Sequence, residues 1–125
     1  VTTSAEPSLI LKIRILHEDL FAFGPGKAAL LDAIARHASI SGAGRELGLS
    51  YSKTRRLVDE MNLSFRSPLV ETSRGGSDRG GAGVTEAGRR VLAAFRRLEA
   101  KAREAALDGF RDLAAELKGA GPEVT

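Results

Sequence analysis

Ser39–Asn62 reads SISGAGRELGLSYSKTRRLVDEMN. Two short helices around a glycine turn account for this pattern. Ser39 and Ser41 are both candidates to cap a first helix running to about Leu47, because a serine hydroxyl can accept a bond from a first-turn N–H. Gly48 ends that helix, since glycine enters the left-handed conformation that a tight exit requires. Leu47 and Leu49 flank the turn and pin it to a core. Ser50 caps the next helix, predicted from Tyr51 to about Phe65, and Ser67-Pro68 breaks the chain out of it. Leu57, Met61 and Phe65 recur at steps of four and give this helix its inward face, with Thr54 turned partly inward. Gly42, Ala43 and Gly44 are small enough for the two helices to approach closely.

Outward from this pair, Lys27–His37 (KAALLDAIARH) places Leu30, Leu31, Ile34 and Ala35 on one face of a preceding helix. Earlier still, Leu9–Leu16 (LILKIRIL) alternates with period 2 and predicts a strand, and HEDLFAFGPG leads to a turn at Gly24-Pro25-Gly26. On the other side, Leu69–Thr72 predicts a short strand. RGGSDRGGAG (74–83) then separates it from a second short strand at Val84. Thr85 caps the last helix, with Glu86 in its first turn. Along that helix Val91, Phe95, Leu98, Ala102 and Ala105 recur at steps of 4, 3, 4 and 3, a heptad-like seam suited to a second helix. Gly109 is a point of kinking or breakage, after which Phe110, Leu113 and Leu117 resume the spacing. The order strand, helix, helix, helix, hairpin, long helix is mainly α with a small β component. It describes a winged helix-turn-helix with an N-terminal strand, a glycine-rich wing and a long C-terminal dimerisation helix. The expected organisation is an arm at 1–8, the DNA-binding domain at 9–85, the dimerisation helix at 86–118 and a tail at 119–125.

Charge and composition agree with this. The 125 residues carry a net charge of +3, concentrated in the middle: from Arg36 to Arg97 twelve basic residues face six acidic ones. The flanks are mildly acidic, so the middle suits a polyanion. The absence of cysteine excludes disulfides and thiolate metal sites. His17 and His37 are the only histidines, and no spacing around them suggests a metal site. No apolar run reaches the ~20 residues of a membrane span, and the amino end lacks the pattern of a signal peptide. The expectation is a cytoplasmic protein with no membrane partner, no cofactor and no catalytic constellation.

The first half of the helix after Gly48 carries Ser50, Tyr51, Ser52, Lys53, Arg55 and Arg56. Recognition helices read base edges with their first turns, arginine pairing bidentately with guanine. Ser52, Lys53 and Arg56 are expected in the groove, with Tyr51 and Arg55 at flanking phosphates. Arg74 and Arg79, in the wing, are expected at a minor groove or at neighbouring phosphates. The glycine-rich run is not a nucleotide loop, because it lacks the Gly-Lys-Ser/Thr ending. The seam Val91, Phe95, Leu98, Ala102 and Ala105 either folds onto its own core or pairs with a second subunit, and a symmetric dimer would suit palindromic half-sites.

Two longer stretches, KAALLDAIARHASISGAGRELGLSYSKTRRLVDEMN (27–62) and PLVETSRGGSDRGGAGVTEAGRRVL (68–92), resemble the DNA-binding domain of the ModE family, the molybdate-responsive transcription regulators. The resemblance covers about Leu9 to Ala106. It implies a homodimer on double-stranded DNA, controlling genes of molybdate uptake or molybdenum enzymes. Full-length family members carry molybdate-binding domains after the long helix, and the expectation here is that molybdate is not sensed through such a domain. A separate molybdate-binding protein is one partner that could supply the signal. SKTRR is more basic than the aromatic-containing run familiar at that point of the family, which implies a different operator. Two alternatives stay open: a module that heterodimerises with a full-length regulator, and a LysR-like DNA-binding protein with unrelated targets.

Overall fold

A computed structural model describes residues 6–73 and 81–119. The described residues from Lys12 to Arg96 form one compact unit, and those of the two flanks, 6–11 and 97–119, form another.

The first unit opens with an antiparallel hairpin, β1 (Ile15–His17) and β2 (Leu20–Phe23). Glu18 and Asp19 close it, both at positive φ (52° and 66°). Two successive left-handed residues match the twist of a tight hairpin, and Asn-Gly is their usual signature. Glu-Asp gives no such signal, and the expected strand over Leu9–Leu16 is corrected accordingly. Only Ile15 and Leu16 of that stretch pair, with Phe23 and Phe21, across an irregularity in the register. Gly24-Pro25-Gly26 is likewise not a turn but the start of α1 (Pro25–His37). Gly24 is extended there, and proline suits the first helical position, where an N–H would have no intrahelical partner. Gly24 also leaves room for the Phe21 ring, since a Cβ there would come within 2.8 Å of the ring's far edge.

α2 (Ile40–Leu47) and α3 (Tyr51–Ser64) follow as expected. Of the two candidate caps, Ser39 is the one used, its hydroxyl accepting from Gly42 N at 2.8 Å. Gly48 is left-handed at φ 72°, and Ser50 Oγ accepts from Lys53 N at 3.1 Å. β3 (Val70–Thr72) and β4 (Ala82–Val84) pair antiparallel, with Val70 opposite Val84. Ala82 N also donates to the carbonyl of left-handed Ala38, which joins the base of the wing to the end of α1.

The core brings together Leu30, Leu31 and Ile34 of α1, Ile40 and Ala43 of α2, Val58 and Met61 of α3, and Leu69, Val70 and Ala82 at the wing base. Phe23 meets Phe65 and Phe95 edge-on, with ring centroids 6.0 and 5.1 Å away. Ala35 faces solvent, and Val58 takes the inward place that the spacing gave to Leu57, which is half-buried.

α4 (Glu86–Ala114) begins in the first unit and continues in the second, and Gly109 does not interrupt it. Within the second unit, Arg103 donates to the Leu9 carbonyl at 2.9 Å. The expected seam is corrected at its start. Phe95 is buried in the core of its own chain and is not free for a partner helix, while Val91 is half-buried against that core. Further along, Leu98 is 43% exposed, Ala102 is half-buried and Ala105 is exposed.

Candidate nucleic-acid interface

α3 is held by one face. Thr54, Val58 and Met61 are buried, and Thr54 Oγ1 donates back to the Ser50 carbonyl at 2.7 Å. Gly44 of α2 faces this hydroxyl: a Cβ on Gly44 would lie 2.5 Å from Thr54 Oγ1, so the close crossing of the two helices requires glycine. Leu49 N donates to the Gly44 carbonyl at 2.8 Å and tightens the same turn.

With that face inward, helical periodicity puts Ser52 and Arg56, one turn apart, on the opposite side. Ser52, Lys53 and Arg56 are exposed, as is Tyr51 (55%), and Arg55 is partly so. Ser50 is exposed at the start of α3 with its hydroxyl engaged as the cap. These six residues therefore line the open half of one helix. Arg74 and Arg79 lie outside the described residues.

Two arginines on this face are paired with acids one turn later. Arg55 Nε lies 3.5 Å from Asp59, and Arg56 Nη1 lies 3.2 Å from Glu60 Oε2. The second pair continues inward: Glu60 Oε1 lies 3.1 Å from Nζ of Lys27, a lysine on α1 that is 1% exposed. Lys27 also donates to the Phe21 carbonyl and stands 4.4 Å from the Phe21 ring centroid. Burial pushes the Glu60 carboxyl up, but the hydrogen bond and charge of Lys27, with Arg56, outweigh it and hold the group below its ordinary range. Sequence reasoning missed Lys27, which stands 33 positions before Glu60 and reads as an ordinary first-turn cation.

Asn62 was also silent in the sequence. Its Oδ1 accepts from Leu69 N (2.9 Å) and Val70 N (3.1 Å), while its Nδ2 donates to the Val70 carbonyl (3.0 Å). One amide thus clips the end of α3 to the first wing strand. Thr85 completes the frame: its hydroxyl donates to the Pro68 carbonyl at 2.7 Å and accepts from Gly88 N at 2.9 Å. Gly88 meets the wing so closely that a Cβ would lie 2.4 Å from the Leu69 carbonyl oxygen.

A helix pair joined by a left-handed glycine, followed by an antiparallel strand pair packed on the core, defines a winged helix-turn-helix. The chain belongs to the family of bacterial regulatory helix-turn-helix proteins of the lysR type, matching it over residues 27–89. Its ModE-like character is shown by individual relatives. It is 43% identical over 94 residues to the molybdenum-pterin-binding protein MopA of Rhodobacter capsulatus, covering 75% of this chain and 36% of that one. It is 36% identical over 98 residues to the molybdenum transport protein ModE of Azotobacter vinelandii (78% and 36%). It is 39% identical over 88 residues to the DNA-binding transcriptional dual regulator ModE of Escherichia coli strain K12 (70% and 32%). The matched segments span about a third of the length of these relatives.

Proposed function

We propose that this chain is a sequence-specific transcription regulator that binds palindromic double-stranded DNA as a homodimer and controls genes of molybdate transport or molybdenum enzymes. The observation that carries the reading is the open face of α3, where Ser52, Lys53, Arg55 and Arg56 stand on a helix fixed from behind by Thr54, Val58 and Met61. Such a helix can enter a major groove without rearranging. Ser52, Lys53 and Arg56 read base edges, and Tyr51 and Arg55 contact phosphates on either side. The start of α3 at Ser50 lies against the backbone, and Arg74 and Arg79 extend the contact from the wing. The names of the ModE relatives supply the choice of genes.

The homodimer is formed by α4 beyond Phe95. Leu98 and Leu113 on α4 are 43% and 63% exposed, and Leu117 just past its end is 47% exposed, so the spacing of the proposed seam continues on an uncovered stretch. The protein acts in the cytoplasm, and no helix among the described residues is long and apolar enough to cross a membrane.

Fluorescence anisotropy tests this. The purified chain is titrated against a promoter fragment from upstream of a molybdate-transport operon and against a scrambled duplex, each with and without molybdate. Selective binding to the promoter fragment, unchanged by molybdate and weakened steeply by salt, is the expected result. Equal affinity for both duplexes overturns the proposed targets.

A further inference from the structure

We propose that Lys27 and Glu60 are positioning residues for DNA recognition: the buried ammonium of Lys27 fixes Glu60, and Glu60 holds the guanidinium of Arg56 in the pose that meets a base. This rests on α3 being the DNA-reading helix, and it adds two residues that touch no DNA to the determinants of specificity.

The geometry is that of a carboxylate shared between inside and outside. Glu60 gives Oε1 to Lys27 Nζ at 3.1 Å and Oε2 to Arg56 Nη1 at 3.2 Å. Exposure rises outward along the chain of contacts, from Lys27 at 1% through Glu60 at 33% to Arg56 at 58%. The inner end is fixed by α1 and β2 together, because Lys27 also donates to the Phe21 carbonyl and rests against the Phe21 ring. If Glu60 swung away, it would leave a buried ammonium without its counter-charge, a costly arrangement that keeps the carboxylate in place. Glu60 therefore differs from Asp59, the partner of Arg55, which is 57% exposed and 3.5 Å from its arginine.

The consequence falls on Arg56. A guanidinium has five N–H donors in a rigid fork, and Glu60 engages it at Nη1. The rest of the fork stays available for the O6 and N7 acceptors of a guanine. An arginine already tethered at one corner loses less side-chain freedom when it docks, and it is aimed before it docks. The same fork untethered can slip to a phosphate, which carries no sequence information. The relay is thus expected to act on discrimination between bases more than on overall affinity.

The test begins with an operator selected by the full chain from randomised duplexes, and with single base-pair variants of it. Arg56→Ala is expected to abolish discrimination at one base pair in each half-site. Glu60→Gln, which keeps the side chain's size and removes its charge, is expected to lose about fivefold or more of the discrimination at that same base pair. Adding Glu60→Gln to Arg56→Ala is expected to change little further. Nitrogen relaxation at Arg56 Nε in the free protein provides a readout that loss of stability alone would not move: ordered in the wild type, averaged in Glu60→Gln and in Lys27→Met. If Glu60→Gln discriminates like the wild type while Arg56→Ala does not, the relay is overturned and the reading of α3 stands. If Arg56→Ala still discriminates at every base pair, the relay and the base-reading role of Arg56 are both overturned, while Ser52 and Lys53 leave the reading of α3 standing. An ordered Arg56 in Lys27→Met removes Lys27 from the relay.

Discussion

Glu60 is held low by its neighbours although burial acts the other way, and this sets a testable pH dependence. A carboxyl whose folded pKa is depressed stabilises the fold above its unfolded pKa, near ~4.3. That contribution is lost as pH falls through the lower folded value. Urea unfolding at stepped pH is expected to show the wild type more stable than Glu60→Gln at pH 7, with the gap closing below about pH 4. Glu46 is also held low, first by its hydrogen bond to Arg36 and then by that to His37, but it acts equally in both proteins and cancels from the gap. A gap that stays constant down to pH 3 would show that the ion pairs of Glu60 do not stabilise the fold. Gly88 offers a steric test at the same scale. The atom facing a new Cβ is a backbone oxygen at 2.4 Å, which cannot rotate away as a side chain could. Gly88→Ala is expected to destabilise by about 1–3 kcal/mol, read as a lowered denaturation midpoint with an unchanged slope.

Among the elements, α3 depends on its neighbours at both ends. Its start is fixed by the Ser50 cap and the Gly44–Thr54 contact, and its end by the Asn62 clip to β3. Asn62→Leu removes three hydrogen bonds and leaves the N–H groups of buried Leu69 and Val70 without their side-chain acceptor. The expected loss is about 2–4 kcal/mol, with faster amide exchange at Leu69 and Val70 than in α1. Protection that stays uniform would show that the wing does not need the clip. The features that sequence revealed here are those decided by nearby residues: Ser39, Gly48 and Ser50 act within a few positions of themselves, as does Thr85 in capping Gly88 N. The hairpin at Glu18-Asp19 escaped because Glu-Asp lacks the glycine that usually marks two successive left-handed positions. Lys27–Glu60 escaped because nothing local marks a buried ion pair between two helices.

At the scale of the whole molecule, α4 packs on its own core and is proposed to carry the dimer contact, two roles that share one spacing. Phe95 and Val91 complete the core of their own domain, and the same 4-3 rhythm continues into Leu98 and Ala102. Periodicity alone could not separate the two, because packing onto one's own core and packing onto a partner ask for the same stripe. The boundary follows from Phe23 being in reach of Phe95. Leu98→Glu is therefore expected to convert a dimer to a folded monomer, with sedimentation mass halved and the circular dichroism of the domain kept. An unchanged mass would move the interface elsewhere. A monomer also loses the paired half-sites, so its affinity for the operator is expected to fall much more than its affinity for random duplex.

The central claim is that two copies of α3 lie in successive major grooves. Guanine N7 methylation protection on a selected operator tests it most directly, because N7 is exposed only on the major-groove side. The account predicts two protected clusters about 10 base pairs apart, on one face of the duplex, each lost in Arg56→Ala. Binding that leaves every N7 open to methylation, or protects a single cluster untouched by Arg56→Ala, would contradict it.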